Sequence, residues 1–163
     1  GHKLIACIAG PSHMPLSQYR LEGYKKAMLR TGEKLRDDYI IRGDFTHEGG
    51  AEAVKTLLSL PEPPTAIFCH SDIMAIGAMW QAKKMGLTLP DDLSFVGFDN
   101  LEQAKYTLPA LTTINQPRAE IGHHAMQLLL EQIHVLIEQV GRWEWRRRNM
   151  AMNWSDDKKS FCY

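Results

Sequence analysis

The stretch PTAIFCHSDIMAIGA, residues 64–78, joins a short apolar run to a segment of helical period, and it decides the fold class. Ala66–Cys69 follows the turn-forming prolines Pro61, Pro63 and Pro64, and predicts a buried β-strand. One side of the helix that follows is marked by Ile73, Ile76, Gly77 and Trp80. A strand that runs directly into a helix is half of a β-α-β unit, in which the two strands lie parallel.

The same alternation of strand and helix occurs four times along the chain. Strands are predicted at Leu4–Ala9, Tyr39–Arg42, Ala66–Cys69 and Leu93–Phe98, with a fifth extended segment at Leu111–Asn115. The first two helices carry apolar faces at Leu21, Tyr24 and Met28 and at Ala51, Val54 and Leu58. Pro117 begins a long helix with an inner stripe at Ile121, Ala125, Leu128, Ile133 and Leu136, and the periodicity is lost from Gly141 onward. This pattern predicts an α/β fold with a doubly wound, mostly parallel sheet.

The composition excludes several classes of protein. The 19 Lys and Arg residues balance the 19 Asp and Glu residues, so the chain has no global positive field for attracting DNA or an anionic membrane. No segment reaches the roughly 18 consecutive apolar residues of a membrane span, and residues 1–3 lead straight into the first predicted strand without the pattern of a signal peptide. Cys7, Cys69 and Cys162 are far apart and odd in number, which favours reduced thiols and a cytoplasmic location. Because the first residue is Gly1 and not Met, we expect a piece of a longer protein.

Candidate recognition groups follow the predicted strands. In open α/β sheets, ligands bind beyond the carboxyl ends of the strands, where loops and helix N-termini converge. The loops at that edge, with the start of the first helix, carry His13, Arg20, Phe45, His70, Ser71, Asp72, Asp99 and Asn100. Arg20 would donate two hydrogen bonds in a fork, Asp99 would accept from vicinal hydroxyls, and Phe45 would offer a stacking face. This set suits a polyhydroxylated ligand with a flat part, such as a nucleoside.

Some of these residue types also have plainer interpretations. Asp72 stands just before a helix and is better explained as its N-cap than as a ligand contact. His123 and His124 are adjacent on a helix and point in different directions, which argues against a metal pair. The methionines near Trp80 suit a core or a subunit contact, and the run at residues 146–148 suits a solvated charged face.

The motifs of common enzyme classes are missing from the sequence. No G-x-G-x-x-G follows a strand, and neither a G-x-x-x-x-G-K-S/T phosphate loop nor a G-x-S-x-G elbow occurs. No spacing places a nucleophile beside its base. We therefore predict a binding domain that is not an enzyme, with no catalytic residues, cofactor or metal.

Four segments strongly resemble the LacI/GalR family of transcription repressors. They are RLEGY (20–24), PTAIFCHSDIMAIGA (64–78), GLTLPDDLSFVGFDN (86–100) and PALTTINQP (109–117). They occur in the family's order and spacing, and the resemblance covers residues 1 to about 140. Within the family, FCHSD (68–72) and RGDFT (42–46) are most similar to the cytidine-responsive members, with the purine-responsive members next.

The resemblance implies a two-lobed sensor, built like a type I periplasmic binding protein, that follows a helix-turn-helix and a hinge helix. Residues 1–116 would be the C-terminal lobe, 117–140 a crossover helix towards a missing N-terminal lobe, and 141–163 an atypical tail. Arg20 and Asp99 fall on the family's effector-binding arginine and aspartate, Phe45 on its aromatic ring, and Ser71 where some members carry a ligand-contacting Asn. The expected partners are a nucleoside effector such as cytidine, a second copy in a homodimer, and operator DNA reached only through the absent helix-turn-helix.

The resemblance also places the expected dimer surface and leaves two alternatives open. The helix with Met79, Trp80 and Lys83, together with the loop at Lys105 and Tyr106, would form part of the dimer surface. An exported sugar-binding protein of a transporter would share the fold but not the compartment. A nucleoside-processing enzyme would require turnover of a nucleoside.

Overall fold

Five strands and four α-helices form the described part of the chain. A computed structural model describes the backbone of residues 1–156 and the side chains of residues 1–144. The strands are β1 (Ile5–Ala9), β2 (Ile40–Arg42), β3 (Ala66–Cys69), β4 (Ser94–Asp99) and β5 (Thr112–Asn115). The helices are α1 (Pro15–Thr31), α2 (His47–Leu58), α3 (Asp72–Lys84) and α4 (Arg118–Asp156).

The strands form one parallel sheet in the order β2-β1-β3-β4-β5. The predicted α/β fold is confirmed, and the fifth extended segment joins the sheet as its edge strand. After β1 the chain forms β2 at one edge of the sheet. It then returns to β3, on the other side of β1, and continues through β4 to β5 at the opposite edge. Helices that leave β1 and β3 therefore lie on opposite faces, and a crevice opens between the carboxyl ends of these two strands.

Strand β1 is buried on both faces, as the central part of a parallel sheet requires, whereas Val96 on β4 and Ile114 on β5 are exposed. On β1, Ala6 and Ile8 point into the larger core with α2 and α3, whereas Cys7 and Ala9 face α1. The Tyr24 hydroxyl on α1 donates to the carbonyl of Ile5 at 2.8 Å and ties that helix to the sheet. The reduced thiols expected at Cys7 and Cys69 are both buried and free, while Cys162 lies outside the described residues.

Two helices bury faces that match the predicted ones only in part, with Val54 on α2 and Gly77 on α3 buried. On α2 the buried residues are Gly50, Ala53, Val54 and Leu57, so Ala51 and Leu58 are not at the centre of its inner face. On α3 the side chain of Trp80 is exposed, and Met74, Ala75, Ala78 and Ala82 are buried instead. The physical reason is close contact between the two helices at glycines. A Cβ atom on Gly50 would collide with the backbone of Met74, and one on Gly77 with the backbone of His47.

The chain divides into a unit of residues 1–116 and a second unit that begins at Pro117. The second unit contains α4, whose predicted inner stripe, including Ile121, Leu128 and Leu136, is exposed. The helix continues through Gly141, where the periodicity ends, because one glycine costs a helix only about 1 kcal/mol. No helix within the described residues is long and apolar enough to cross a membrane.

Candidate functional site

Arg20 and Asp99 form an ion pair at the carboxyl edge of the sheet. Arg20 lies on α1, yet its Nη2 reaches the Oδ1 of Asp99, at the end of β4, at 3.3 Å. Its Nη1 donates to the backbone carbonyl of His70, at the end of β3. The guanidinium carbon also lies 3.9 Å from the centre of the Phe98 ring. The arginine therefore spans the crevice predicted by the strand order, and its plane is fixed by a carboxylate, a carbonyl and a ring.

The carboxylate of Asp99 has a second donor. Gln116, which directly follows β5, donates its side-chain amide to the same Oδ1 at 2.6 Å. The side chains of Arg20 and Asp99 retain 15% and 24% exposure, so the pair is shielded but still reachable by a ligand. A partly desolvated pair of this kind has stronger directional hydrogen bonds than one in bulk water.

Phe45 lies at the same edge, next to the turn after β1. Its backbone φ is +67°, in the left-handed region that few non-glycine residues adopt. A Cβ atom on Gly10 would collide with the Phe45 ring and would lie 2.5 Å from the hydroxyl oxygen of Ser17. The phenyl ring therefore rests on the bare backbone of Gly10, which only glycine at that position permits. The Ser17 hydroxyl is buried and has no hydrogen-bond partner among the described residues.

His70 connects Gly10 to the Arg20 side of the site. Its Nδ1 accepts a hydrogen bond from the backbone N–H of Gly10 at 3.1 Å, so the proton of the neutral ring resides on Nε2. Burial, reinforced by the positive charges of Arg20 and Arg42, lowers the pKa of His70 to about 4. The imidazole is thus neutral near pH 7. A continuous set of contacts then leads from Phe45 through Gly10 and His70 to Arg20 and Asp99.

The Nε2 of His70 lies 3.4 Å from the sulfur of Cys7, an arrangement that in some enzymes activates a thiol. Here burial raises the pKa of the Cys7 thiol to about 12. An activated cysteine requires a lowered pKa. The contact is therefore between a neutral ring and a protonated thiol, and it holds two strands together.

Ser71 is buried at the start of α3, whereas the other predicted ligand contacts, Arg20, Phe45 and Asp99, are half-buried. Its side chain is buried, and its hydroxyl oxygen accepts from the backbone N–H of Met74 at 3.2 Å, which makes Ser71 the N-cap of α3. The prediction that Asp72 is the N-cap is therefore wrong by one residue. Asp72 is instead fully buried, with its carboxylate directed towards the loop after β4.

Three contributors to the site have no signal in the sequence. Gln116 and Phe98 are ordinary strand-end residues until the fold brings them to Asp99 and Arg20. Gly10 follows a strand, as glycines often do, and its need for an open surface becomes visible only beneath the ring of Phe45. Within the described range, no group of three or more His, Cys, Asp or Glu side chains is arranged to hold a metal ion.

A comparison with protein families matches residues 1–143 to the periplasmic binding protein-like domain. Among curated proteins, the chain is 58% identical over 133 residues to the HTH-type transcriptional repressor CytR of Escherichia coli strain K12. That match covers 82% of this chain and 39% of CytR. The repressor PurR of Escherichia coli O139:H28 is 44% identical, with the same coverage of both chains. Among solved structures, a complex of the transcriptional regulator CelR with cellobiose has a TM-score of 0.78 and 35% identity, and covers 82% of this chain and 41% of its own.

The parallel sheet and the crevice at its carboxyl edge define a ligand-binding lobe, and the match over residues 1–143 agrees with that class. The chain belongs to the family of periplasmic binding protein-like domains and resembles part of the effector-binding domain of LacI/GalR-type repressors, CytR among them. It spans about two fifths of the length of the curated relatives it matches. Those relatives are transcriptional repressors, the non-enzymatic class that the sequence predicts.

Proposed function

We propose that this chain is the effector-sensing and dimerisation part of a LacI-type transcription repressor, and that the edge with Arg20, Phe45 and Asp99 binds a nucleoside. The observation that carries the proposal is the ion pair between Arg20 and Asp99 across the crevice, with the phenyl ring of Phe45 at the same edge. The resemblance of FCHSD (68–72) and RGDFT (42–46) to the cytidine-responsive members favours a ligand that contains a base over a simple sugar. Cytidine is the first candidate.

Each side chain has a defined role in this proposal. The Asp99 carboxylate accepts hydrogen bonds from the vicinal hydroxyls of ribose, and the Arg20 guanidinium donates to a sugar or base oxygen. The ring of Phe45 stacks on the flat base. Ser71 stays in the proposal as a neighbouring contact, because a hydroxyl that accepts from Met74 can still donate its own proton.

The test is calorimetric titration of a chimera in which this chain replaces the matching segment of CytR. Cytidine, adenosine, ribose, a free purine and cellobiose are compared as ligands. We expect cytidine to bind most tightly, and Asp99→Asn to weaken it by about 10- to 100-fold because a charged acceptor is lost. The matched control, Asp91→Asn, changes an exposed carboxylate. Equal indifference to every nucleoside would contradict the assignment, and tight cellobiose binding would indicate a sugar sensor.

The proposed regulation requires that the effector distinguish two arrangements of the lobes. A ligand shifts such an equilibrium only by its difference in affinity for the two states. Binding between this lobe and an N-terminal one would close them and change the spacing of the DNA-reading heads in a dimer. We propose that operator DNA is contacted through a helix-turn-helix outside this chain and that the repressor works in the cytoplasm.

The proposed dimer surface lies where α3 meets the segment after β4. Trp80, Tyr106 and Leu108 expose 62%, 75% and 79% of their surface, an unusual concentration of large apolar groups. A groove of about 170 Å³ is lined by Ile76, Met79, Trp80, Lys83, Thr107 and Leu108. In sedimentation experiments we expect a dimer that Trp80→Glu converts to a monomer, whereas Tyr19→Glu, at an exposed tyrosine on α1, leaves it intact. A wild-type chain that is monomeric at high concentration would exclude this surface.

The alternative of an exported sugar-binding protein is favoured by one observation, the match of residues 1–143 to the periplasmic binding protein-like domain. The residues encoded before Gly1 discriminate between the two. A signal peptide there would indicate export, and a helix-turn-helix would indicate a repressor.

A further inference from the structure

The Asp72 carboxylate and the Thr113 hydroxyl form a second polar group beneath the proposed effector site. Asp72 begins α3, and its side chain is completely buried. A buried carboxylate is unfavourable unless hydrogen bonds replace the water it has lost. Its Oδ1 accepts from the Thr113 hydroxyl at 2.5 Å, and its Oδ2 from the backbone N–H of Leu101 at 2.7 Å. Both partners belong to β5 or to the loop that follows Asp99.

The carboxylate reaches these partners by passing over β4 at a glycine. Gly97 is opposite Thr113 in the strand pairing, and a Cβ atom on Gly97 would collide with the Asp72 Oδ1. The Thr113 hydroxyl, having donated to Asp72, also accepts from the backbone N–H of Asn100 at 3.2 Å. Asp72 and Thr113 therefore hold two successive backbone amides of the loop, those of Asn100 and Leu101.

The loop that they hold has an unfavourable backbone conformation. Asp99 has a φ of +116° and Asn100 a φ of +51°. Two consecutive non-glycine residues with positive φ persist only where surrounding contacts over-determine the backbone. This conformation places the Asp99 side chain against Arg20 and Gln116. The Asn100 side chain also donates to Oδ1 of Asn115 at 3.1 Å, but the two amide contacts hold the backbone itself, so we expect the loop to relax and the Asp99 carboxylate to shift when they are lost.

We propose that Asp72 and Thr113 are positioning residues, which keep the loop after β4 in its left-handed conformation so that Asp99 faces the effector crevice. They act through the backbone of Asn100 and Leu101 and touch no ligand themselves. The inference depends on the proposed function only in its last step, where the position of Asp99 determines nucleoside affinity.

The test uses Thr113→Val in the 163-residue chain, followed by nuclear magnetic resonance. Valine keeps the shape of threonine but removes the hydroxyl, so Asn100 loses its acceptor directly. The Leu101 amide and the Gln116 side-chain amide keep their own acceptors and report only on the loop's position. We expect about tenfold or faster hydrogen exchange at Leu101, together with a shift of the Gln116 side-chain amide signals.

Two matched variants accompany Thr113→Val. Thr113→Ser restores the hydroxyl and should return both signals to their wild-type values. Thr112→Val makes the same change at the exposed neighbouring position on β5 and should alter neither. If Leu101 and Gln116 in Thr113→Val behave as in the wild type, the proposal is overturned. The same conclusion follows if exchange accelerates equally in α2, because the substitution would then have loosened the whole fold.

Titration of the CytR chimera with cytidine tests whether the position of Asp99 determines nucleoside affinity. Where the wild-type chimera binds, Thr113→Val should weaken binding by about tenfold and Thr113→Ser should not. Unchanged affinity in Thr113→Val would overturn the positioning role. A wild-type chimera that binds no nucleoside would remove the proposed function, while the resonance measurements would still decide whether Asp72 and Thr113 hold the loop.

Discussion

Acidification from pH 7 to pH 5 should destabilise the folded chain by about 2 kcal/mol through His70 alone. The pKa of His70 is about 4 in the folded state, against about 6.5 for an ordinary histidine. The unfolded chain therefore binds a proton more readily. The stability contributed by the neutral ring is fully present above pH 6.5 and is lost as the pH falls towards 4. A pKa difference of about 2.5 corresponds to about 3 kcal/mol in total, of which about 2 kcal/mol is lost by pH 5.

The assay is urea unfolding, followed by circular dichroism at several pH values between 7 and 4. His70→Asn provides the background, since asparagine does not titrate and its side-chain oxygen can still accept from the N–H of Gly10. The variant should have a lower free energy of unfolding than the wild type at pH 7. Between pH 7 and pH 5, however, its free energy of unfolding should fall by about 2 kcal/mol less than that of the wild type. Parallel pH profiles for the two proteins would refute the reasoning. So would a resonance titration that places the pKa of the His70 ring above 6.

Three further predictions address separate features of the structure. Gly10→Ala should destabilise the chain by about 1–3 kcal/mol in urea unfolding, because its Cβ collides with the ring of Phe45; Gly23→Ala, in open space on α1, should cause no such loss. Arg20→Lys should weaken nucleoside binding by about tenfold or more in titrations of the chimera, because an ammonium cannot reproduce the planar fork; wild-type affinity would count against it. Cys7 should resist alkylation at pH 8 until the chain unfolds, as peptide mapping by mass spectrometry would reveal, since its thiol is buried and its pKa is raised to about 12.

The order of the elements was predictable because each strand has a compact apolar run. Ala66–Cys69 is bounded by prolines and a helix start, and the observed strand has the same limits. The buried faces of the helices were harder to predict from the sequence. Periodicity identified Gly77 on α3 but could not show that Gly50 and Gly77 bring the backbones of α2 and α3 into contact, which determines the faces that the two helices bury.

The candidate site was predictable to a similar degree. The rule for parallel sheets brought Arg20 and Asp99 to one edge, and the structure shows them in contact. The sequence could not show which of two neighbouring residues has a given role. Ser71 and Asp72 both suit a helix N-terminus, and only the three-dimensional partners at Met74 and Leu101 decide which residue caps the helix. Hydrogen bonds between distant segments leave no periodic trace in a sequence.

The non-glycine residues with positive φ in the described part of the chain are Phe45, Asp99 and Asn100, and all lie at the carboxyl edge of the sheet. Two of them are predicted effector contacts. Strained backbone of this kind costs about 1–3 kcal/mol per residue and is retained where the rest of the fold is stable enough to hold it. Here the buried sheet supplies that stability, through the bare surface of Gly10 under Phe45 and the carboxylate of Asp72 under the loop. In the proposed sensor, these side chains are oriented before the ligand arrives, so that less conformational entropy would be lost when it binds.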